Sequence, residues 1–423
     1  MKLRLYPMQT VAVLLLAAVT SCSTQDQDKD DWVVYMMPQA KTMQLTAPQK
    51  SLVENNNDFS FHLFRTVNQI NGTKKSCILS PISVTYMLGM INDAATDQTQ
   101  EEITNTLGLS GKTAREINEL CQTLMTQAPE LDGQVTLKTA NAIYTNRGYT
   151  LKSDFSKDMA AYYKANAKTL DFSLPDAAKE MNGWTNKQTN GMIPEIVDTL
   201  NPHAVTYLLN AVYFQAKWTK QFDAKKTQRE DFTNANGAKV KVEMMHNKAE
   251  ALYAYNDTYS TLWLPYGSGT AWNMMVLLPR EGKTVDDVMA TLTTANWKET
   301  LNNAQRTELD IKMPKFTTNN TTELNEVLKA MGIQRAFSRY YAQIPNMCEK
   351  VNLFISKMLQ KARIEVDEEG SKATAVTVTG TMETTAPPMM LEKGEFHADH
   401  PFVYLISENN SNAIFFVGTY MGD

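Results

Sequence analysis

Residues 366–388 form the most informative stretch of this sequence. They read Val366-Asp367-Glu368-Glu369-Gly370-Ser371-Lys372-Ala373-Thr374-Ala375, then Val-Thr-Val-Thr-Gly-Thr381, then Met-Glu-Thr-Thr-Ala-Pro-Pro388. A run of this length without large apolar side chains is unusual inside a compact domain and is normally functional or disordered. Its valines and threonines favour a strand, and every second position is small: Ser371, Ala373, Ala375, Thr377, Thr379 and Thr381. The stretch therefore predicts a strand with one face able to slide beneath tightly packed structure, while Lys372, Thr374, Val376, Val378 and Met382 occupy the other face.

The rest of the chain mixes helical and extended patterns. Apolar residues from Phe59 to Ile70 follow helical spacing, and Ser80-Pro81 predicts a second helix, with Ser as N-cap and Pro at the first position. Later segments alternate or run apolar as strands do: 140–144, 207–214, 274–278, 308–313, 363–366, 402–406 and 413–417. Because helices come mainly early and strands mainly late, we expect an α+β fold with a large sheet.

Length and charge exclude several classes of protein. The chain has 423 residues, of which 43% are hydrophobic, so it can bury a sizeable core without disulfides or metals. The 41 lysines and arginines against 46 aspartates and glutamates give a net charge of −5, and no basic block stands out. We therefore expect no nucleic-acid partner. With 18 glycines, 15 prolines and no persistent repeat, a collagen, a coiled coil and general disorder are also excluded.

The first 21 residues are predicted to be a signal peptide. Lys2 and Arg4 precede an apolar run from Val11 to Val19, which is too short to span a bilayer. The run leads to Thr20-Ser21-Cys22 and resembles a bacterial lipobox, in which Cys22 is lipidated and becomes the new N-terminus. The alternative is an ordinary secretory signal that happens to carry a cysteine. Removal of residues 1–21 would change the net charge from −5 to −7.

Residues 22–54 are predicted to form a flexible, lipid-anchored tether, and residues 55–423 the folded domain. Residues 23–31 are polar and cannot bury a core. Within them, Lys29-Asp30-Asp31 resembles the acidic tag that exports some Bacteroidetes-type lipoproteins to the outer surface, although an ordinary solvated linker fits equally well. The expected location is the bacterial outer membrane, facing either the exterior or the periplasm.

A search for catalytic or metal-binding patterns finds little. Cys77, Cys121 and Cys348 are widely spaced and are read as buried free thiols. The sequence has no G-x-S-x-G or H-E-x-x-H motif, and no cofactor is expected. His397 and His400 lie three residues apart, a spacing that would also suit metal ligands, although the segment has a better explanation below. An enzyme is therefore the weaker interpretation.

From about Asn57 to Gly418 the chain resembles the serpin family. Residues 366–375 are similar to the family's acidic hinge, and Phe396-His-Ala-Asp-His-Pro-Phe402 is similar to the strand entry that follows its reactive loop. The second match accounts for His397 and His400 without a metal. Further matches occur in family order at 57–64, 80–84, 182–191, 210–218 and 264–266. Each match alone is weak, but together they are highly specific.

The resemblance implies a fold and a mechanism. The fold would have a large central sheet A, two further sheets and an exposed reactive-centre loop at about 368–395. A protease attacks this loop, and the loop then inserts into sheet A as a new strand and carries the covalently attached protease with it. The partner would be a serine or cysteine endopeptidase, and the inhibitor a monomer. The alternative is a non-inhibitory serpin that acts as a surface binding or carrier protein.

The hinge residues favour the inhibitory interpretation. These are Glu368, Glu369, Gly370, Ser371, Ala373 and Ala375. The inward face is small, and no proline precedes Pro387, so insertion would meet no large side chain. By the family's count, with Gly370 as the fifteenth residue before cleavage, the reactive bond is Thr384-Thr385. A shift of one or two residues would make Glu383 or Met382 the specificity residue.

The resemblance also implies two groups within the sheet. In the shutter, where the sheet parts, it places Ser80, Ser83 and Asn210, and Gln360 stands where the family often has a histidine. An amide can donate and accept hydrogen bonds there without the pH sensitivity of histidine. At the breach, where insertion begins, it places Trp218, which could equally be a buried core residue.

Overall fold

A computed structural model describes residues 41–269, 271–349, 353–371 and 391–423 of the chain. The helices in these residues lie mainly in the N-terminal half. They are α1 (Ala47–Asn71), α2 (Pro81–Ala94), α3 (Asp97–Thr106), α4 (Ala114–Gln127), α5 (Ser153–Tyr163), α6 (Pro175–Gln188), α7 (Val285–Thr291), α8 (Thr294–Asn302) and α9 (Asn325–Ala330). The two helices predicted from periodicity correspond to α1 and α2. None of the helices in the described ranges is long and apolar enough to cross a membrane.

The strands in the described residues lie mostly in the second half of the chain. They are β1 (Cys77–Leu79), β2 (Val135–Asn146), β3 (Asn166–Leu170), β4 (Thr206–Lys217), β5 (Gln228–Thr233), β6 (Lys239–Tyr255), β7 (Tyr259–Tyr266), β8 (Trp272–Pro279), β9 (Gln305–Pro314), β10 (Phe316–Glu323), β11 (Lys357–Val366), β12 (Gly370–Ser371), β13 (Glu392–His397), β14 (Phe402–Glu408) and β15 (Ile414–Tyr420). Each of the seven later segments predicted as strands lies in one of them, apart from Ala413, which directly precedes β15. The strand predicted from Ser371 to Met382 lies outside the described residues beyond Ser371. The α+β class is therefore confirmed.

The large sheet, sheet A, has the order β10-β11-β4-β2-β3, with the short strand β12 paired to β4. The other strands form a continuous path, β1-β15-β14-β8-β7-β6-β9-β13, with β5 paired to β6. The two further sheets of the prediction are thus joined, because the 17-residue strand β6 pairs with β5 and β9 and also, near Tyr253, with β7.

Helix α2 anchors the core. Its residues 81–92 are all buried, and it packs against β4 of sheet A, β15 and helices α1 and α4. β14 and β15 are buried along their full length. A helix enclosed in this way holds the sheets in place, and it brings its N-terminal residue Ser80 to the inner face of sheet A.

The prediction of a tether that extends to Glu54 is wrong in its last part. Helix α1 begins at Ala47 with a capping box, in which Thr46 Oγ1 accepts from the Gln49 amide (3.3 Å) and Gln49 Oε1 accepts from the Thr46 amide (3.0 Å). Met43, Leu52 and Val53 are buried in the core. The Thr-x-x-Gln pattern is visible in the sequence and marks the true start of the helix. Residues 22–40 lie outside the described residues.

Candidate functional site

The site is the boundary between β4 and β11 in sheet A. These neighbours run parallel over seven register pairs, from Lys357↔Tyr207 to Arg363↔Tyr213. The strands on their outer sides run in the opposite direction: β10 is antiparallel to β11, and β2 is antiparallel to β4. A strand added between β4 and β11 in the opposite direction would convert one parallel ladder into two antiparallel ladders, which are slightly more stable per residue.

At the hinge end of this boundary such a strand has already begun. β11 turns back on itself through a tight hairpin, closed by the Asp367 amide donating to Gly370 O (2.8 Å). The returning strand, β12, pairs antiparallel with β4, Gly370 opposite Lys217 and Ser371 opposite Ala216. The first hinge residues therefore occupy the boundary that the predicted strand would have to enter.

Gly370 and Ser371 have the size that this position requires. Gly370 has φ +147°, and a Cβ on it would lie 2.1 Å from Ala216 O, so that no side chain fits there. Ser371 is fully buried, and its hydroxyl is hydrogen-bonded to the Tyr266 hydroxyl (2.9 Å). Ser371, the first residue of the face of small side chains predicted from the sequence, thus lies inside sheet A.

Trp218 lies beside this hinge. Its backbone amide donates to Glu369 O and its indole Nε1 to Asp367 O, both at 2.8 Å. Its ring stacks on that of Tyr266, with 4.4 Å between centroids and 13° between planes. The structure therefore places Trp218 against residues 367–369, at the end of β4, and buries it in the core.

Glu368 connects the hinge to the neighbouring strands. Its carboxylate pairs with Lys315 Nζ (2.7 Å), between β9 and β10, and accepts a hydrogen bond from Thr227 Oγ1 (2.6 Å). Burial alone would raise the pKa of Glu368, but the bonds from Lys315 and Thr227 outweigh it and hold the pKa below its ordinary value. The carboxylate is therefore kept ionised in a site that is only 9% exposed. Lys315 and Thr227 were missed from sequence, since nothing local marks them as partners of residue 368.

The predicted shutter residues meet at the middle of the same boundary. Gln360 on β11 accepts from the Ser80 amide (2.8 Å) and donates through Nε2 to Ser80 O (3.0 Å) and to Asn210 Oδ1 (3.2 Å) on β4. Ser80 Oγ donates to Ser83 Oγ (2.9 Å) and does not cap helix α2. All four side chains are at most 1% exposed. The amide of Gln360 thus uses both its oxygen and its nitrogen to join α2, β11 and β4.

One member of this chain was missed from the sequence. Asn210 Nδ2 donates to Asn141 Oδ1 on β2 (2.8 Å), and Asn141 Nδ2 donates to the Tyr163 carbonyl at the end of α5 (3.1 Å). The polar chain therefore crosses three strands of sheet A and reaches a helix. Asn141 interrupts the apolar strand Ala140–Tyr144, and a buried amide in such a run is the signal that could have indicated it.

The remaining predicted residues fall into two groups. Ala373, Ala375, Met382, Glu383, Thr384, Thr385 and Cys22 lie outside the described residues. His397, on β13, lies 3.9 Å from Asp310, whereas His400 is hydrogen-bonded to Asp399 and to Pro279 O. Within the residues that the structure describes, no cluster of three or more histidine, cysteine or acidic residues could hold a metal ion. Cys77, Cys121 and Cys348 are free thiols, and burial raises the pKa of Cys121 to about 12.

Fold and site together define an α+β protein in which the chain turns back after β11 and pairs with the end of β4 in sheet A. The chain belongs to the serpin family, because the family model described as "Serpin (serine protease inhibitor)" matches residues 54–422. An uncharacterized serpin-like protein of Thermococcus kodakarensis is 33% identical over 376 residues, which cover 88% of this chain and 86% of that protein.

Solved structures agree with this assignment. The thermophilic serpin tengpin in its native state superposes with a TM-score of 0.80 at 28% identity, over 91% of this chain and 96% of tengpin. Thyroxine-binding globulin in complex with thyroxine superposes with a TM-score of 0.78 at 27% identity, over 88% of this chain and 99% of that protein. Most members of the family inhibit proteases, but some do not.

Proposed function

We propose that the protein is a suicide-substrate inhibitor of serine endopeptidases, with cysteine endopeptidases as a second target class. The observation that carries the proposal is β12: the hinge already pairs with β4 in the direction a complete inserted strand would take. Cleavage of the loop would free the residues after Ser371 to continue this ladder. The acylated protease would move with them to the opposite end of sheet A.

The energy of insertion is sufficient to distort an enzyme. About a dozen new ladder hydrogen bonds, each worth ~0.5–1.5 kcal/mol, amount to on the order of 10 kcal/mol before any side-chain burial. A serine protease depends on its triad and oxyanion hole for deacylation, so distortion of either would leave the acyl-ester unhydrolysed. Trapping then requires that insertion be faster than hydrolysis.

The sequence of the hinge supports rapid insertion. Ser371 is buried against Tyr266, and the alternation of a strand puts Ala373 and Ala375 on the same inward face. Neither would need the sheet to open wider than it does for Ser371. The reactive bond is proposed at Thr384-Thr385, which suits proteases with small or medium primary pockets; Glu383 and Met382 are the alternative specificity residues.

The test is complex formation with a protease panel. The domain, residues 41–423, is incubated with an elastase, a subtilisin, a trypsin and a glutamyl endopeptidase, and run on denaturing gels with mass spectrometry of the released peptide. We expect a complex stable in SDS at the sum of the two masses, and a peptide beginning at residue 385. Cleavage of the loop by all four proteases without any complex would overturn the proposal.

We also propose that the mature protein is a monomer anchored to the bacterial outer membrane through lipidated Cys22. The supports are the apolar run that ends at Cys22 and the polar segment after it. In cells that process lipoproteins, the wild type should partition into detergent and Cys22→Ala into the aqueous phase. Equal partitioning of the two would contradict the anchor.

Binding of a small molecule is the second candidate function. It is favoured by the similarity to thyroxine-binding globulin and by a surface cavity of about 390 Å³ between α1, the C-terminal end of α3 and the α7–α8 connection. Phe59, His62 and Arg65 are among its lining residues. A protein that only carries a ligand would be cleaved in the panel without trapping a protease.

A further inference from the structure

The two strands that must part are also joined at their far end, by Ser356. This residue directly precedes β11. Its amide donates to Thr206 O (3.1 Å), and its Oγ accepts from the Val205 amide (2.8 Å) and, at 3.4 Å, from the Thr206 amide. Thr206 is the first residue of β4. We call Ser356, Val205 and Thr206 the far-end seal.

The Ser356 hydroxyl accepts hydrogen bonds from the Val205 and Thr206 amides, as a backbone carbonyl of a neighbouring strand would. Val205 is 8% exposed and Thr206 is fully buried, so both amides need a partner from the protein. Ser356 is itself held from the other side, because its carbonyl accepts from Asn325 Nδ2 (3.0 Å) on α9. Asn325 Oδ1 in turn accepts from the Met358 amide (2.9 Å), which fixes the start of β11.

The register of β12 shows what would replace Ser356. Ser371 lies opposite Ala216, so ten residues further along both strands Thr381 would lie opposite Thr206. The Trp218 amide bonds Glu369 O in this same register, and bonded pairs recur at every second residue of an antiparallel ladder. Thr206 would therefore form a bonded pair with Thr381 through the same amide and carbonyl that Ser356 now occupies.

We infer that Ser356 is a positioning residue for loop insertion: it occupies the backbone amide and carbonyl of Thr206, at the start of β4, until the inserted strand displaces it. The inference rests on the proposed insertion mechanism. The hydrogen bond from the Val205 amide to the Ser356 hydroxyl exists only while the sheet is closed, so loss of the hydroxyl costs free energy in the closed form alone. The closed form is then destabilised relative to the inserted form, and the sheet opens more readily.

The test uses a synthetic peptide with the sequence of residues 371–383, added to the uncleaved domain and followed by native mass spectrometry over time. We expect Ser356→Ala to take up the peptide about three- to tenfold faster than wild type, the range for one lost hydrogen bond. Ser356→Thr, which keeps the hydroxyl, should behave as wild type, and Ser356→Cys, with a weaker acceptor, should be intermediate. The cysteine variant keeps the test decisive if the alanine variant does not fold.

Ser76→Ala is the matched control. Its hydroxyl also accepts from a backbone amide, that of Met421 (2.9 Å), but it lies beside β1 and outside sheet A. We expect it to take up peptide at the wild-type rate. Equal uptake by wild type, Ser356→Ala and Ser356→Cys would overturn the role of the seal. No uptake by any protein, including wild type, would instead count against insertion itself.

Discussion

At the scale of single residues, the hinge is held by the close approach of Gly370 to Ala216 O and by the ion pair of Glu368 with Lys315. Gly370 could be identified from its local pattern, because acidic residues followed by glycine and serine open the small-residue run. The Lys315–Glu368 pair could not, because its members are 53 positions apart and nothing local to either names the other. Ser356 was missed for the same reason, since its partners Val205 and Thr206 lie about 150 positions away.

Gly370→Ala should prevent β12 from pairing with β4. The new Cβ would clash with Ala216 O, and φ +147° is unfavourable for any L side chain. We expect the free energy of unfolding to fall by about 1–3 kcal/mol and the stoichiometry of inhibition to rise, measured by urea unfolding and by titration of a trapped protease. Gly237→Ala is the control, since Gly237 also has a positive φ (+80°) but open space around its Cα. Equal effects of the two substitutions on inhibition would contradict the account of the hinge.

The Glu368 carboxylate should make the hinge sensitive to acid. Its pKa in the folded protein is lowered, so it contributes stability above its unfolded pKa of about 4.3, and this contribution is lost as the pH falls through the lowered value. We expect wild type to lose more stability than Glu368→Gln between pH 6 and pH 3, as measured by thermal unfolding. If the unfolding temperatures of the two proteins fall equally between pH 6 and pH 3, the carboxylate is not stabilised by Lys315 and Thr227.

At the scale of elements, strand prediction succeeded for apolar runs such as β14 and β15 but missed strands of both kinds, the polar β10 and the largely apolar β7. β14 and β15 are buried throughout and read as apolar runs, whereas β10, Phe316–Glu323, is mostly threonine, asparagine and glutamate and was not predicted. β10 lies at the edge of sheet A, where its polar side chains alternate with buried ones. The start of α1 was placed too late because the polar residues around it were read as linker, although the capping box was present.

The hydrogen bonds that join the buried side chains of Gln360, Asn210 and Asn141 should stabilise the closed sheet. Asn210→Ala removes the partner of both Gln360 Nε2 and Asn141 Oδ1. Because these groups are fully buried, we expect a loss of about 1–3 kcal/mol in the free energy of unfolding, measured by urea denaturation. Asn236→Ala, at an exposed position in the turn between β5 and β6, is a control that leaves the shutter intact. A loss for Asn210→Ala no larger than that for the control would contradict the buried chain.

The inserted strand should tolerate a large residue on one face only. Ala375→Arg puts a charge on the inward face proposed from the position of Ser371, and it should convert an inhibitor into a substrate. Thr374→Arg places the same side chain one residue away on the opposite face, and it should leave inhibition nearly unchanged. The measurement is the ratio of complex to cleaved protein on denaturing gels. Equal ratios for the two variants would refute the alternation.

At the scale of the whole molecule, the boundary between β4 and β11 in sheet A carries different contacts along its length. β12 occupies the hinge end, the Gln360–Asn210 contact closes the middle and Ser356 closes the far end. These three closures are spaced along one boundary, and each uses backbone groups or buried side chains that face the partner strand. β4 and β11 also pair directly over seven register pairs, so an inserted strand would have to replace that parallel ladder as well as these contacts.

Thermal unfolding of the intact and the loop-cleaved domain tests this account most directly. A glutamyl endopeptidase is suited to the cleavage, because Glu383 is the one acidic residue in the sequence 372–390. If the freed strand inserts, on the order of 10 kcal/mol of new ladder bonds should raise the unfolding temperature by roughly 10 °C or more. Cleaved Ala375→Arg should show no such rise. An unfolding temperature that is unchanged or lower after cleavage of wild type would contradict the central claim that sheet A accepts the loop.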